Sequence, residues 1–406
     1  MKTTTHIKEI QGGITAVAGF TAAGLSAGIK KNKASDLALV SADLPCTVAG
    51  LFTKNKFPAP PLRLNKKHLK KGGGRAIIAN SGNANAFTGE QGEKDAKAMA
   101  LETARQLNIS PETVYVASTG VISQFLPMQK ILPAIPTLCA GLSKEGSRAA
   151  AEAIMTTDTR AKECAFQGPV GKDTVSIGGI AKGSGMIHPN MATMLAFLST
   201  DVAMTQSLLQ SALREAVDAS FHRITIDRDT STNDMVLLFA NSRQGKIINK
   251  KGPRYRQFTT LLKTACITLA KMLVRDAEGA TKCVAIEVKG AKDDKAASKI
   301  AFAIADSLLV KTAFFGEDAN WGRIVAAVGN AGIKVKPEEI NLFFGPTQLV
   351  KNGHYLGVEA EKKIAAYLKS KEITLRLVLQ SGKGKSCVWT SDLSLDYVKI
   401  NALYRT

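Results

Sequence analysis

Hydrophobic residues recur along this chain with two different periods, one typical of helices and one typical of strands. In 92–107, 205–220 and 258–273 the apolar positions lie three or four residues apart, so we expect amphipathic helices there. In 283–289 and 373–379 apolar and other residues alternate, which predicts strands. Helices and strands follow one another without the regular β–α–β order of a doubly wound parallel sheet. The pattern therefore predicts an α/β protein built from mixed layers of helices and strands.

Glycine and proline interrupt this pattern early in the chain. Glycine recurs between short apolar runs at 13–31, so we expect a hairpin of small-residue strands there. Pro45 divides the apolar stretch 38–51, which predicts a broken strand, and the prolines that follow predict a turn over 55–61. A second turn-rich segment, NSGNANAF, is expected at 80–87.

One junction carries candidate chemistry. A loop of small residues beginning at Gly183 runs into the apolar segment MLAFL at 194–198, a predicted buried strand, and Thr193 stands where the two meet. If the loop strains the Ala192–Thr193 peptide bond, the threonine hydroxyl can attack the carbonyl of Ala192 and cut the chain. The product is an N-terminal threonine, whose α-amine has a pKa of about 7.7–8.0 and can serve as the base for its own hydroxyl. On pattern alone, a threonine at such a junction more often only caps or pairs.

Net charge raises the question of nucleic-acid binding. The chain has 54 lysine and arginine residues against 34 acidic residues, a formal charge of +20. The basic residues are dispersed, however, and the densest runs, at 66–71 and 246–256, offer only Tyr255 for stacking on a base. We therefore interpret the charge as a solvated lysine-rich surface that can attract anionic small molecules.

Cysteine spacing and hydropathy argue against several further classes of protein. The six cysteines are scattered without a CxxC pair, which argues against a zinc site or a disulfide framework. The N-terminal segment lacks the apolar core of a signal peptide, and nowhere do eighteen apolar residues run together. We expect a soluble cytoplasmic protein with no membrane partner.

The segment KGSGMIHPNMATMLAF at 182–197 resembles the self-cleavage segment of the ornithine acetyltransferase (glutamate N-acetyltransferase) family of arginine biosynthesis. Further blocks resemble this family in the same order along nearly the whole chain. They are ASTGVIS at 117–123, MTTDT at 155–159, RDAEGATK at 275–282, KTAFFGEDANWGRI at 311–324 and NALYRT at 401–406.

The resemblance implies an activity and an assembly. Such an enzyme cuts itself into residues 1–192 and 193–406, and two copies of each fragment form a heterotetramer. It moves an acetyl group from N-acetylornithine to glutamate through an acetyl-threonine intermediate, with no metal and no bound cofactor. The implied fold is the α/β fold of self-cleaving aminopeptidases. Whether acetyl-CoA is a second acetyl donor stays open at this point.

The resemblance also assigns roles to single residues. Thr193 is the implied nucleophile, and Thr119 with Gly120 forms the implied oxyanion hole. Lys182 is implied to contact the carboxylate of the bound amino acid, and Glu278 to face its amine. The complete set of implied substrate-binding residues is Thr156, Lys182, Thr193, Glu278, Asn401 and Thr406. Without the resemblance, the Ser-Thr-Gly triplet is more typical of a capped turn, and a lysine of a solvated surface.

Several alternatives remain open on sequence grounds. A self-cleaving aminopeptidase or amidohydrolase of similar fold would pass the acyl group to water, and a basic nucleic-acid-binding protein would not cut itself. A Ser184–His188 pair lacks an acidic partner nearby and is a poor hydrolytic triad. Adjacent Glu317 and Asp318 favour a structural turn over a metal site.

Two positions depart from the family pattern. We expect asparagine more often where this chain has His222, and glycine more often where it has Arg228. The departures leave the nucleophile unchanged and concern the geometry of the loop that follows it.

Overall fold

The structure, a computed structural model, describes residues 6–188 and 194–403 in two β-sheets with helices packed on them. Within these residues there are sixteen strands and eleven α-helices. The strands are β1 (Lys8–Ile10), β2 (Phe20–Leu25), β3 (Leu37–Phe52), β4 (Gly74–Asn83), β5 (Val114–Val121), β6 (Lys162–Val170), β7 (Asp173–Lys182), β8 (Leu195–Met204), β9 (Ile224–Thr225), β10 (Met235–Ile248), β11 (Cys283–Ala291), β12 (Asn341–Phe344), β13 (Thr347–Lys351), β14 (His354–Tyr355), β15 (Glu372–Val378) and β16 (Gly384–Ser391). The helices are α1 (Pro60–Lys71), α2 (Gly89–Leu107), α3 (Met128–Ala140), α4 (Ser147–Ala153), α5 (Gln206–Asp218), α6 (Pro253–Arg275), α7 (Asp294–Ala305), α8 (Leu308–Phe315), α9 (Trp321–Gly329), α10 (Val358–Leu368) and α11 (Leu395–Leu403).

The first sheet joins strands from both sides of residue 193. Its order is β1-β6-β7-β8-β10-β3-β4-β5, with β2 also paired to β3. The central strands β8 and β10 are parallel, with Leu195 opposite Met235. On their outer sides β7 pairs with β8 and β3 pairs with β10, both antiparallel. Strands that lie before and after the proposed cut are therefore interleaved in one sheet.

Alternation along β8 creates an apolar layer on each face of this sheet. Leu195 and Phe197 point into a cluster that also holds residues of β3, β10 and α4. Ala196 and Leu198 point to the opposite side, where α5 and α6 pack. Because all of β8 is buried, burial on both faces explains why MLAFL is a continuous apolar run.

The second sheet has its own core. Its order is β14-β13-β12-β15-β11-β16-β9, and β11 lies parallel to β15 and antiparallel to β16. Residues of α7, α9 and α10 pack with these strands in a separate buried cluster. The mixed α/β layers predicted from the sequence are confirmed. None of the described helices is long and apolar enough to span a membrane.

The predicted helices and strands lie where the periodicities placed them. The expected helices at 92–107, 205–220 and 258–273 correspond to α2, α5 and α6, and the alternating strands to β11 and β15. The observed ends of these elements differ from the predicted ends by a few residues. Amphipathic periodicity marks these elements clearly, because each buries one continuous stripe of side chains.

The hairpin expected at 13–31 is wrong. Gly13–Ala16 forms a 3₁₀ turn, and only β2 follows as a strand, paired to β3. This turn lies so close to β7 that a Cβ atom on Gly178 would come within 2.0 Å of the carbonyl oxygen of Gly13. The small residues allow this close approach and do not form a second strand.

Pro45 does not break β3 into two strands. The first part of β3 pairs with β2 and β4, and the part from Thr47 onward pairs with β10. Pro45 lies in the register shift between Ser41 and Cys46, where pairing with β4 is interrupted and no backbone donor is needed.

Two expected turns are shorter than predicted. Pro60 and Pro61 open α1, since proline fits the first turn of a helix. Residues 80–83 of NSGNANAF extend β4, because Ser81 and Gly82 pair with β5.

Candidate active site

A cavity of about 260 Å³ lies where the ends of β5 and β7 approach the loop after α4 and the helix α11. Its walls bring together six residues that were predicted from the sequence, although some of them lie far apart along the chain. They are Thr119, Gly120, Thr156, Lys182, Glu278 and Asn401. The predicted residues Ala192, Thr193 and Thr406 lie outside the described residues.

Backbone packing explains why glycine follows Thr119. Gly120 has φ = 129°, a conformation that favours glycine. A Cβ atom here would come within 2.4 Å of the backbone carbon of Gly82 on the neighbouring strand β4. Thr119 is 4 % exposed and faces the cavity, at the end of β5, where the parallel ladder ends in an irregular register. Thr119 and Gly120 thus contribute a hydroxyl and a closely packed glycine backbone to the lining of the cavity.

Lys182 is the cation of the cavity. Its ammonium group donates to the hydroxyl of Thr156 at 2.7 Å and lies 3.4 Å from the hydroxyl of Thr119. Its side chain is buried at the end of β7, and burial lowers its pKa, an effect that the charge of Asp158 partly opposes. A buried ammonium between two hydroxyl groups can hold an anionic group such as a carboxylate.

A buried network of ion pairs holds Lys182 in position. Lys162 of β6 contacts Asp158 at 2.6 Å and Asp276 at 2.5 Å, and Asp158 lies 3.9 Å from Lys182. Asp158 also accepts backbone hydrogen bonds from Thr156 at 3.0 Å and Gly183 at 2.7 Å. Burial alone would raise the pKa of Asp158, but the two ammonium groups bring it down to about 2. Asp158 is therefore a carboxylate at neutral pH that orients Lys182.

Glu278 is the acidic residue among those that line the cavity. Its carboxylate accepts a hydrogen bond from the side chain of Asn401 on α11 at 2.8 Å, and its backbone amide donates to the carbonyl of Ser184 at 2.8 Å. Gly185 leaves it room, because a Cβ atom there would lie 2.4 Å from a carboxylate oxygen of Glu278. A cation and a carboxylate in the lining of one cavity suit a ligand that carries both charges, such as an amino acid.

The loop that connects β9 to β10 holds both flanks of the segment 189–193. Asp227 accepts the backbone amides of Met186 at 2.7 Å and Ile187 at 2.9 Å, and Asp234 accepts that of Met194 at 3.0 Å. Both carboxyl groups are buried, and burial raises the pKa of each. Among the described residues, the second oxygen of Asp234 has no hydrogen-bond partner.

Asn233 ties the same loop to the strand that carries Thr119. Its side-chain amide donates to the carbonyl of Ala84 at 2.6 Å and to that of Ser118 at 2.9 Å. These two hydrogen bonds fix the position of the loop relative to the end of β5.

The alternative pairs from the sequence do not form. Ser184 is hydrogen-bonded to Thr157 at 2.7 Å, whereas His188 lies 3.4 Å from Thr225, so they are not a catalytic pair. Glu317 contacts Lys282 at 2.7 Å in a turn after α8. Within residues 6–188 and 194–403, no group of three histidine, cysteine or acidic side chains could hold a metal ion.

The two departures from the family pattern lie away from the cavity walls. His222 contacts Asp218 at 2.8 Å, and Arg228 is an exposed side chain. Arg228 has φ = 72°, the left-handed region in which glycine is the unstrained choice.

Asp158 and Asp234 were not predicted from the sequence. Asp158 lies in the MTTDT block that also contains Thr156, so the sequence could have indicated it. Its ion pair with Lys162 was not indicated by the sequence. Asp234 is separated by forty residues from Met194, and only the pairing of β8 with β10 brings them together.

Comparisons with known proteins give a consistent result. A family model described as the ArgJ family matches residues 21–406. The arginine biosynthesis bifunctional protein ArgJ of Symbiobacterium thermophilum is 48 % identical over 400 residues, 98 % of this chain and 99 % of that protein. The protein of the same name from Geobacter sulfurreducens is 47 % identical over 391 residues, 96 % and 100 % of the two chains. The crystal structure of the Bacillus halodurans protein of that name aligns with a TM-score of 0.49 at 41 % identity, over 51 % of this chain and 98 % of that chain.

Proposed function

The chain belongs to the ArgJ family, and from that membership we propose that it is a self-processing acetyltransferase of arginine biosynthesis. It takes the acetyl group of N-acetylornithine, releases ornithine and transfers the acetyl group to the amine of glutamate. The word "bifunctional" in the relatives' names supports a second acetyl donor, for which we propose acetyl-CoA.

Maturation creates the nucleophile. The hydroxyl of Thr193 attacks the carbonyl of Ala192, the peptide bond is replaced by an ester, and water then releases residues 1–192. Thr193 becomes the N-terminus of residues 193–406, and its free α-amine takes the proton of its hydroxyl in each later cycle. The two fragments remain folded together, and two copies of each make the proposed heterotetramer.

Acetyl transfer proceeds in two steps. The hydroxyl of Thr193 attacks the acetyl carbonyl of N-acetylornithine, and ornithine leaves with the proton on its amine. The amine of glutamate then attacks the acetyl-threonine ester and restores the hydroxyl. In both steps Thr119 and the amide of Gly120 stabilise the oxyanion, Lys182 with Thr156 binds the amino-acid carboxylate, and Glu278 with Asn401 binds the amine of ornithine.

The observation that carries the proposal is the convergence on one cavity of Thr119, Gly120, Thr156, Lys182, Glu278 and Asn401. The lining of the cavity includes both a cation and a carboxylate, which supports an amino-acid substrate with both charges. Asp234 holds the backbone amide of Met194, the residue that follows the proposed nucleophile in the sequence.

The test is the intact mass of the purified protein under denaturing conditions, measured beside Thr193→Ala and Thr193→Ser. We expect two fragments for the wild type, with Thr193 as a new N-terminus, and one uncut chain for Thr193→Ala. Thr193→Ser keeps a hydroxyl and is expected to retain cleavage. A single uncut wild-type chain would contradict the proposed mechanism.

A kinetic assay separates acetyl transfer from hydrolysis. We expect ornithine release from N-acetylornithine to depend on glutamate, and initial-rate lines at several glutamate concentrations to run parallel. Release of ornithine and acetate at the same rate without glutamate would identify a hydrolase. Intersecting lines would exclude the covalent intermediate.

A further inference from the structure

A second cavity lies between α7, α9 and the chain around Arg228. It is larger than the cavity lined by Lys182 and Glu278, which we call the substrate cavity. Its volume is about 1190 Å³, against about 260 Å³ for the substrate cavity. An amino acid fills only a small part of such a volume, so the shape suits a larger ligand. We call it the α7–α9 groove.

Positive charge dominates the walls of the α7–α9 groove. Five lysine and arginine side chains line it, against the two carboxylates of Asp294 and Asp306. The five are Arg223, Arg228, Lys295, Lys299 and Arg323. An excess of cations around one concave surface focuses a potential that attracts multiply charged anions.

The arginines of the groove are bound mainly to uncharged groups. Arg223 donates to the hydroxyls of Ser298 at 3.1 Å and Ser386 at 2.7 Å, and Arg323 donates to the carbonyl of Leu309 at 2.9 Å. These contacts fix the guanidinium groups without neutralising them. Arg228 has a carboxylate oxygen of Asp306 only at 3.9 Å.

The lysines of the groove stand one helical turn apart on α7. Among the described residues, neither Lys295 nor Lys299 has a carboxylate within ion-pair distance, whereas many other surface cations of this chain do. The carboxylate of Asp294 accepts the backbone amide of Lys385 at 2.8 Å. The groove therefore keeps free positive charge for a ligand.

The groove and the substrate cavity border the same two chain segments. Arg228 faces the groove, whereas Thr230 lines the substrate cavity. In the same way, His188 lines the groove and Met186 lines the substrate cavity. A long ligand bound in the groove can therefore extend along these two segments towards the residues that line the substrate cavity.

We propose that the α7–α9 groove binds the phosphate-bearing nucleotide part of an acyl-thioester donor, whose thioester end then extends towards the substrate cavity. This inference rests on the proposed function, which supplies the acetyl acceptor and the nucleophile. The donor that fits is acetyl-CoA, a long flexible thioester with several phosphate groups at one end.

The chemistry balances without a further reactant. The hydroxyl of Thr193 attacks the thioester carbonyl, the carbon–sulfur bond breaks, and the thiol of coenzyme A leaves with the proton from the hydroxyl. The acetyl-threonine ester is the same intermediate that N-acetylornithine gives, and glutamate then accepts the acetyl group. The two donors therefore differ in the cavity that binds them and share every later step.

The test compares two charge-reversed variants of the cleaved enzyme. Lys295→Glu/Lys299→Glu changes the groove, and Lys66→Glu/Lys70→Glu is the matched control, because those lysines are exposed at the same spacing on α1. Both variants change the net charge equally. For each we would measure kcat/KM for acetyl-CoA, kcat/KM for N-acetylornithine, the melting temperature, and binding of unacylated coenzyme A by calorimetry at two NaCl concentrations.

The groove variant is expected to lose about tenfold or more in kcat/KM for acetyl-CoA and in affinity for coenzyme A, because charge-assisted contacts to phosphate are lost. Its kcat/KM for N-acetylornithine and its melting temperature are expected to equal those of the wild type. Wild-type binding of coenzyme A is expected to weaken with salt.

Three results would overturn the inference. They are equal losses in the groove variant and the control, equal losses for both acetyl donors, and a wild type that does not bind coenzyme A. Because binding of coenzyme A is measured without turnover, absence of acetyl transfer from N-acetylornithine would count against the proposed function and leave this test intact.

Discussion

At the scale of single residues, Asp234 has an unusual environment beside Met194. It is buried, one oxygen holds the amide of Met194, and the other has no partner among the described residues. Burial raises its pKa well above the usual range, which favours the protonated form. A protonated carboxyl and an asparagine side chain offer the same pattern of one acceptor and one donor.

Two substitutions at Asp234 are therefore expected to differ. Asp234→Asn keeps the acceptor for Met194 and is expected to cleave itself at close to the wild-type rate. Asp234→Ala leaves a buried amide without a partner, which costs about 1–3 kcal/mol, so self-cleavage is expected to slow by about tenfold or more. The measurement is the time course of fragment formation by denaturing mass spectrometry. Equal, slow cleavage in both variants would assign Asp234 a role in proton transfer instead of positioning.

At the scale of structural elements, the substrate cavity depends on how closely two loops approach each other. Gly185, just after β7, lies against Glu278, just after α6. A Cβ atom at this glycine would come within 2.4 Å of a carboxylate oxygen, so the acidic side chain must move away. Its hydrogen bond with Asn401 is then lost.

Gly185→Ala is accordingly expected to raise KM for N-acetylornithine about tenfold, since an amine contact is lost. Little loss of stability is expected, because the group displaced is the far end of a flexible side chain. Gly252→Ala is the control, as a Cβ atom there has nothing within 4 Å. Steady-state kinetics and urea denaturation of both variants check this, and an unchanged KM for Gly185→Ala would refute it.

The ion network that joins β6 to the loop after α4 makes a second prediction at this scale. Asp158→Asn leaves the buried ammonium groups of Lys162 and Lys182 without their shared carboxylate. We expect a loss of about 3–5 kcal/mol in the free energy of unfolding at pH 7, measured by urea denaturation. Asp43→Asn, in an exposed pair with Arg243, is the control and is expected to cost about 1 kcal/mol or less.

The pH dependence of this network has a definite sign. The pKa of Asp158 is about 2 in the folded protein, below the value of about 3.9 in an unfolded chain. Its contribution to stability is therefore fully present above about pH 4 and is lost as the pH falls towards 2. The wild type should lose stability in this window more steeply than Asp158→Asn, and identical slopes would contradict the assignment.

At the scale of the whole molecule, the first sheet decides how the proposed self-cleavage would affect the protein. Strands β7 and β3 come from residues 1–192, and they enclose β8 and β10 from residues 193–406. The two fragments share one sheet and the apolar layers on its faces. Cutting between residues 192 and 193 leaves these contacts unchanged.

We therefore expect the cleaved protein to behave as one particle. Native mass spectrometry should show both fragments together, at twice the 43.1 kDa of one chain if the proposed heterotetramer forms. Urea should separate the fragments in a single transition that follows loss of the sheet. Dissociation of the fragments in buffer without denaturant would contradict this expectation.

The sequence by itself determined the class of fold, the family and the main elements, because helical and strand periodicities and long motif blocks are local properties of the chain. Thr119, Lys182 and Glu278 were also indicated by their blocks, although their roles stay predictions, as does that of Thr193. Only the tertiary structure decided that these residues face one cavity, that Asp158 orients Lys182, and that Asp234 holds Met194. Those contacts depend on strand order and register across the sheets, which arise from the packing of distant segments and leave no local pattern.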